Sequence, residues 1–268
     1  MCERLGVEAT YATTIGAARV VFRALGLRLD LGGDEHVPAS GPVLLASNHV
    51  SFLDFMLVGL AARRSRRNVR FLARHDIWSA PLVGRAMAAM RHVPVDPAAP
   101  AAAYLRARSL LREGEAVGIF PEAGVSTSYT VRSLMPGVAA LAAETGAPVV
   151  PVALWGPHRI ATAHHRWDPR RGRPVSIAVG EPYVVAPHAD VHRETHRLGE
   201  ALQGLLDDLQ ARPVHQPRPG EDAWWHPAHL GGAAPTPALA RRRETTVPRR
   251  AVPPSWEPGT RDARGLAG

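Results

Sequence analysis

The chain has 268 residues, of which 46% are hydrophobic and 21% charged, so it can bury a substantial core and disorder along its whole length is excluded. Its formal net charge is +8, and all 32 basic side chains are arginine. This charge favours an anionic partner (a phosphate-bearing ligand, a lipid surface or a nucleic acid), although a preference for arginine can also reflect genomic base composition. The single cysteine, Cys2, excludes an internal disulfide and fits a reducing cytosol.

The N-terminal part of the chain predicts one amphipathic helix. Residues 10–29 alternate apolar positions with Arg19, Arg23 and Arg28. Such a helix packs on a core or lies at a membrane interface, and the sequence leaves both open. We assign residues 1–30 to this segment. No uncharged run reaches the roughly 18 residues of a membrane-spanning helix, and no signal peptide is recognisable, so we expect a soluble or peripherally bound chain.

The middle of the chain alternates predicted strands and helices. The predicted strands lie at 43–47, 69–73, 91–95, 116–120, 148–154 and 175–180, and the predicted helices at 52–62, 81–90, 98–112, 134–146 and 190–211. Alternation of short apolar strands with helices predicts an α/β fold, with a mixed, mainly parallel sheet flanked by helices. We place this domain at residues 31–212.

The composition changes after Arg212. Residues 213–268 contain 10 prolines, 6 glycines and 8 arginines, with little apolar periodicity. Such a segment does not bury enough surface to offset the entropy of ordering it, so we predict a disordered tail. Its tryptophans, Trp224, Trp225 and Trp256, leave transient docking to a lipid surface or a partner as the alternative.

The first segment with candidate chemistry runs from Ser47 to Asp54, between an apolar strand and a helix, where α/β proteins build ligand sites. His49 is a candidate general base, and Asp54 a candidate partner that fixes the tautomer and stabilises the imidazolium. The alternative is a capping box, with Ser51 at the N-cap and Asp54 three residues later. The segment by itself allows both.

A second segment, Gly118 to Ser126, also leaves an apolar strand and carries a carboxylate, Glu122, among small residues. The two segments resemble the signature of the glycerophospholipid acyltransferase family, Asn-His-x-x-x-x-Asp followed by Phe-Pro-Glu-Gly-Thr-Arg-Ser. The first motif is complete at Asn48, His49 and Asp54. Similar blocks at 38–43, 84, 93–96, 137 and 150–152 extend the resemblance over residues 15–185.

This resemblance implies a glycerol-3-phosphate acyltransferase-like fold and an enzyme of phospholipid biosynthesis. The expected reaction moves a fatty acyl group from acyl-CoA or acyl carrier protein to a hydroxyl of a lysophospholipid, with 1-acyl-glycerol-3-phosphate as the first expectation. His49 would deprotonate that hydroxyl and Asp54 would steady the histidinium, while Asn48 or backbone N–H groups would stabilise the thioester oxyanion. The expected substrate-binding residues are Asn48, Glu122, Gly124, Ser126 and Arg132. No metal and no cofactor beyond the acyl donor are expected, and the expected location is cytoplasmic, on an anionic surface at the inner face of the cell membrane.

The sequence departs from the family signature at positions associated with the acceptor's phosphate. Pro97 and Val125 stand where arginines are usual, and Met135 stands where a lysine is usual. Each missing charged hydrogen bond is worth about 1.5–3 kcal/mol. Nearby arginines are candidate substitutes, namely Arg132, Arg85, Arg91 and Arg74. An O-acyltransferase with another lysolipid or alcohol acceptor is therefore the alternative function.

The sequence also bears on an arginine-rich run, on serine hydrolase chemistry and on nucleic-acid binding. The run from Arg63 to Arg74 contains six arginines and no acid, which is typical of a solvated helix end but also suits anionic lipid or the phosphates of coenzyme A. A serine hydrolase using Ser126 is disfavoured because the chain has no Gly-x-Ser-x-Gly elbow. Nucleic-acid binding is not expected, because aromatic residues do not interleave with the arginines.

Overall fold

The computed structural model describes residues 2–243 and 254–258. The strands are β1 (Arg28–Gly32), β2 (Val43–Ser47), β3 (Val69–Arg74), β4 (Val93–Val95), β5 (Ala116–Ile119), β6 (Val149–Trp155) and β7 (Pro174–Val179). The helices are α1 (Cys2–Ala24), α2 (Asp54–Ala61), α3 (Pro81–Ala89), α4 (Pro100–Arg112), α5 (Gly137–Thr145), α6 (Val191–Ala211) and α7 (Pro237–Arg243).

The seven strands form one mixed sheet in the order β1-β7-β6-β2-β5-β3-β4. The five strands from β6 to β4 are parallel, and β7 joins β6 in antiparallel register, with Val152 opposite Val179. β1 pairs in parallel with β7. The predicted mixed, mainly parallel sheet is therefore confirmed, and the carboxyl ends of five strands meet along one edge.

Each face of the sheet is covered by helices, so the central strands are apolar on both sides. α4, α5 and α6 cover one face, with Leu110, Leu141 and Leu202 fully buried. α1 and α2 cover the other face through Phe22 and Leu57. Residues that commonly begin and end helices lie at the helix ends. Pro81 and Pro100 are the first residues of α3 and α4, and Gly146 ends α5 at a positive φ of 69°.

The N-terminal helix ends earlier than its apolar pattern predicts. α1 stops at Ala24, Gly26 follows with a φ of 56°, and the chain enters β1. Leu27 and Leu29, which extended the helical pattern, therefore lie beyond the helix, and Leu29 lies in a strand. The predicted boundary at residue 30 is also wrong, because it cuts β1, which belongs to the sheet.

The first part of the segment predicted to be a disordered tail is ordered. Residues 213–243 pack on the domain and bury Trp225 and His215, and residues 254–258 bury Trp256. Leu134 and Trp256 form an isolated β-bridge, which fastens this second stretch to the chain preceding α5. Trp225 and Trp256 are thus core residues of this chain. The rest of the predicted tail, 244–253 and 259–268, lies outside the described residues.

Among the described residues, none of the helices combines the length and the apolar character that crossing a membrane requires.

Candidate active site

The candidate site is built at the carboxyl end of β2, where the chain turns into α2. The ring Nδ1 of His49 lies 2.8 Å from Oδ2 of Asp54, the first residue of α2. Asp54 is fully buried, whereas the His49 side chain is 21% exposed. Burial raises the pKa of the Asp54 carboxyl, and its hydrogen bonds from His49, Ser51 and Val50 oppose that rise. The bond at Nδ1 fixes the orientation of the imidazole ring. The second ring nitrogen, Nε2, does not take part in that bond.

The same carboxylate also fixes the loop that precedes α2. Oδ2 of Asp54 accepts hydrogen bonds from the backbone N–H groups of Val50 and Ser51, at 2.7 and 2.8 Å. Ser51 Oγ accepts from the backbone N–H of Leu53 at 3.1 Å. The predicted capping box is wrong, because α2 begins at Asp54 itself, with Leu53 at the N-cap and no side-chain hydrogen bond to the cap. One oxygen of Asp54 instead fixes the loop and the imidazole together.

The side chain of Asn48 is bonded within the protein. Its side chain is fully buried, and its amide donates to the carbonyl of Leu154 at 3.1 Å and accepts from the N–H of Leu154 at 2.8 Å. These two bonds join the end of β2 to β6. Asn48 therefore positions the histidine loop, since both ends of its amide are engaged.

Glu122 connects the second motif to the first. It is 2% exposed, and its two oxygens accept from the backbone N–H of His49 at 2.9 Å and from that of Arg132 at 3.1 Å. Burial raises the pKa of Glu122 to about 8, against the lowering effects of the His49 hydrogen bond and of the Arg132 charge. Glu122 therefore organises the wall of the site from within and does not face it.

The loop after β5 keeps a tight conformation despite its departures from the family signature. Ala123, which replaces the usual glycine, has a φ of 54°, a left-handed conformation that glycine adopts more readily. At Gly124 an added Cβ would lie 2.5 Å from Nη1 of Arg132, so this glycine makes room for the guanidinium. Arg132 is thus a cation brought to the histidine loop, seven residues beyond the usual arginine position, Val125.

Ser126 is fully buried, and its hydroxyl donates to the carbonyl of Thr130 at 2.7 Å. Its backbone N–H donates to the carbonyl of His49 at 2.7 Å. Ser126 therefore closes its own loop and ties that loop to the histidine, while its expected contact with substrate stays a prediction. The same burial argues against its use as a nucleophile.

Two parts of the site were not predicted from the sequence. The ring of Phe120 stacks on His49 with centroids 4.3 Å apart. Beyond β6, the carbonyl of Ala161 accepts from Ser51 Oγ, and Thr162 Oγ1 donates to the carbonyl of Val50. Phe120 belongs to the second motif and could have been singled out there. Ala161 and Thr162 carry no local signal, because their role depends on pairing across more than 100 residues.

Two of the other candidate substitutes for the missing arginines are engaged elsewhere, whereas Arg85 is exposed on α3. Arg91 precedes β4, at the opposite edge of the sheet, and bonds Glu113 and Glu115, while Arg74 pairs with Asp76 at 2.8 Å. Residues 63–74 were interpreted as a solvated helix end or as a surface for anionic lipid or coenzyme A, and for two of the arginines neither interpretation holds. Arg67 donates to three backbone carbonyls and Arg70 is buried against Glu115.

Within the described ranges, no group of three or more His, Cys, Asp or Glu side chains is placed to hold a metal ion. The chemistry that the geometry offers is proton transfer at His49 Nε2. An imidazole held by a buried carboxylate can take a proton from a hydroxyl and return it to a leaving group.

The chain is similar to known acyltransferases. A family model described as Acyltransferase matches residues 28–155. The 1-acyl-sn-glycerol-3-phosphate acyltransferase of Bacillus subtilis (strain 168) is 30% identical over 179 residues, which are 66% of this chain and 85% of that protein. A chloroplastic 1-acyl-sn-glycerol-3-phosphate acyltransferase of Brassica napus is 33% identical over 138 residues, half of this chain but only 39% of that protein.

A solved structure shares the fold. The crystal structure of the 1-acyl-sn-glycerophosphate acyltransferase of Thermotoga maritima superposes with a TM-score of 0.62 at 23% identity, covering 70% of this chain and 74% of that one. At this identity the likeness concerns the architecture alone.

Proposed function

Because the chain belongs to the acyltransferase family that includes the 1-acyl-sn-glycerol-3-phosphate acyltransferases, we propose that it transfers a fatty acyl group from a thioester to a lysophospholipid hydroxyl. The donor is acyl-CoA or acyl carrier protein, and the first acceptor to test is 1-acyl-glycerol-3-phosphate. The observation that carries the proposal is the 2.8 Å bond between His49 Nδ1 and the buried Asp54, on a ring that is partly exposed.

The proposed step is direct transfer. His49 Nε2 takes the proton of the acceptor hydroxyl as its oxygen attacks the thioester carbonyl, and Asp54 stabilises the imidazolium. The tetrahedral intermediate collapses by breaking the carbon–sulfur bond. The proton passes from His49 to the departing sulfur, which gives the free thiol and the ester. No covalent acyl-enzyme is needed because the thioester is already activated.

Arg132 supports a phosphate-bearing acceptor. Its backbone bonds Glu122, its guanidinium lies against Gly124, and a guanidinium can bind phosphate through two nitrogens. The replacement of arginine by Pro97 and Val125 favours the second candidate, a related O-acyltransferase for a different lysolipid or alcohol.

A thiol-release assay separates these candidates. Acyl-CoA and acyl carrier protein serve in turn as donors, with lysophosphatidate, lysophosphatidylcholine or monoacylglycerol as acceptor. We expect the highest kcat/KM with lysophosphatidate, and a larger loss for Arg132→Gln with lysophosphatidate than with monoacylglycerol. Equal rates with phosphorylated and unphosphorylated acceptors would favour the alternative, and no thiol release with any pair would contradict acyl transfer.

We further propose that the protein attaches peripherally to the inner face of the cell membrane. α1 and α3 pack together and expose apolar side chains, among them Val20 at 64% and Leu82 at 80%. Apolar residues beside arginines suit the interface of an anionic bilayer. Leu82→Glu should reduce co-sedimentation with vesicles containing phosphatidylglycerol, whereas unchanged sedimentation would contradict this attachment.

A further inference from the structure

A groove of about 450 Å³ lies between the end of α1, the start of β1 and the end of α2. Its floor is apolar and includes Phe22, Leu27 and Leu60. Three arginines, Arg19, Arg23 and Arg63, complete the lining, and none of the lining residues is acidic. The groove therefore joins an apolar surface to a concentrated positive charge.

The three arginines are not explained by pairing within the protein. Among the described residues, none of the three forms an ion pair with an acid. Arg19 and Arg23 are four residues apart on α1, so they share one helix face, where like charges repel. An anion bound between them would relieve that repulsion.

A fourth arginine adds positive charge near the groove. An added Cβ on Gly26, which lines the groove, would lie 3.5 Å from Nε of Arg171. Asp168, three residues before Arg171, is held by Arg170 and Arg173. The lining of the groove itself therefore contributes only positive charge.

We propose that this groove binds one phosphate-headed amphiphile, as presented by an anionic membrane lipid. The phosphate lies among Arg19, Arg23 and Arg63, and the start of the alkyl chain lies on Phe22, Leu27 and Leu60. Leu29, which lines the groove and is 42% exposed, favours an amphiphile over a small hydrophilic anion. Guanidinium groups recognise phosphate oxygens in pairs, which suits this head group.

This ligand is distinct from the acceptor in the candidate active site. Leu60 follows Asp54 by six residues on α2, which places it about 9 Å farther along the helix axis. No hydrogen bond joins the groove residues to His49 or Asp54 among the described contacts. The proposal goes beyond the acyl-transfer function and does not depend on it.

Calorimetric titration with decyl phosphate below its micelle concentration tests the groove directly, without turnover. The test variant is the triple change Arg19→Gln, Arg23→Gln and Arg63→Gln. The matched control removes the same charge from exposed arginines elsewhere, through Arg112→Gln, Arg193→Gln and Arg242→Gln. Thermal unfolding midpoints equal to that of the wild type show that both variants are folded.

We expect the test variant to bind decyl phosphate about tenfold more weakly, since exposed ion pairs are individually modest, and the control variant to bind it as the wild type does. Inorganic phosphate and decyl maltoside should each bind far more weakly than decyl phosphate. Inorganic phosphate lacks the alkyl chain, and decyl maltoside lacks the phosphate. Equal loss in the two triple variants would overturn the proposal. Equal affinities for inorganic phosphate and decyl phosphate would overturn the proposal of an amphiphilic ligand and indicate a simple anion site.

Discussion

At the scale of single residues, the histidine is held by two carboxylates with different tasks. Asp54 binds the imidazole, whereas Glu122 binds the backbone N–H of the same residue, 2.9 Å away, and that of Arg132. Both carboxylates are buried, so their protonation is coupled to folding. The ring and the main chain of His49 are thereby fixed independently.

Glu122 gives a pH-dependent contribution to stability with a defined sign. Its pKa rises on folding from an ordinary value of 4.5 to about 8, because the side chain is buried. The folded state then holds a proton that the unfolded state has released, so this stabilisation is complete below about pH 4.5 and is lost as the pH rises through about 8.

We therefore expect the free energy of unfolding of the wild type to fall between about pH 5 and about pH 8 more steeply than that of Glu122→Gln. Urea titrations of both proteins across this range give the comparison, and other titrating groups cancel in the difference. A difference that stays constant with pH would contradict a proton held on Glu122.

Residue types and their spacing, together with the resemblance to the acyltransferase signature, identified the His49 and Asp54 pair, whose members are five residues apart. They did not suffice for Asn48, whose partner Leu154 is 106 residues away, or for Ser126, which is turned into its own loop. Whether a polar side chain in a motif faces the ligand or the scaffold depends on tertiary contacts that a motif does not contain. Arg132 was a candidate only by proximity, and Gly124 supplies the space that brings it in.

At the scale of elements, one arginine joins the loops at the edge of the sheet opposite the site. Arg67 donates to the carbonyls of Pro38 at 3.2 Å, Gly41 at 2.8 Å and Gly114 at 2.7 Å. These carbonyls belong to the chain entering β2 and the chain between α4 and β5. An arginine-rich run that resembles a ligand surface in sequence thus serves in part to close the fold.

Arg67→Ala should lower the free energy of unfolding by about 1–3 kcal/mol, since it leaves several backbone carbonyls without their charged donor. Arg64→Ala is the control, because Arg64 is exposed and lies 3.9 Å from Asp34; we expect less than about 0.5 kcal/mol for it. Guanidinium denaturation measures both. Similar effects of the two substitutions would show that the three Arg67 bonds carry little stability.

Strand and helix positions were predicted well where the apolar runs were short and bounded by turns. β1 was missed because it is an edge strand with mostly exposed residues, and its leucines continued the helical spacing of α1. Gly26 was the available signal, since a glycine in a left-handed conformation commonly ends a helix.

At the scale of the whole molecule, the ordered domain extends past α6 through a proline-rich segment. Trp225 is 2% exposed, its ring lies 3.7 Å below the guanidinium of Arg159, and its Nε1 donates to Glu221 at 3.1 Å. Proline-rich composition predicted disorder because it lacks periodicity. A few large aromatic residues nevertheless bury enough area to order an irregular chain.

Trp225→Ala should lower the free energy of unfolding by about 3–5 kcal/mol, as is usual for a buried tryptophan. Trp167→Ala, at a side chain that is 58% exposed, should change it by less than about 0.5 kcal/mol. Urea denaturation of the two variants distinguishes a core residue from a surface one. A small effect of Trp225→Ala would mean that the segment after Arg212 adds little to the domain.

The central claim, that His49 oriented by Asp54 is the general base of acyl transfer, is tested most directly by the turnover of His49→Ala. Thiol release from acyl-CoA with lysophosphatidate is measured for the wild type and the variant, after circular dichroism has shown that both are folded. We expect kcat to fall by at least about 10²–10⁴-fold, the usual contribution of general base catalysis. A folded His49→Ala protein that keeps wild-type turnover would contradict the claim.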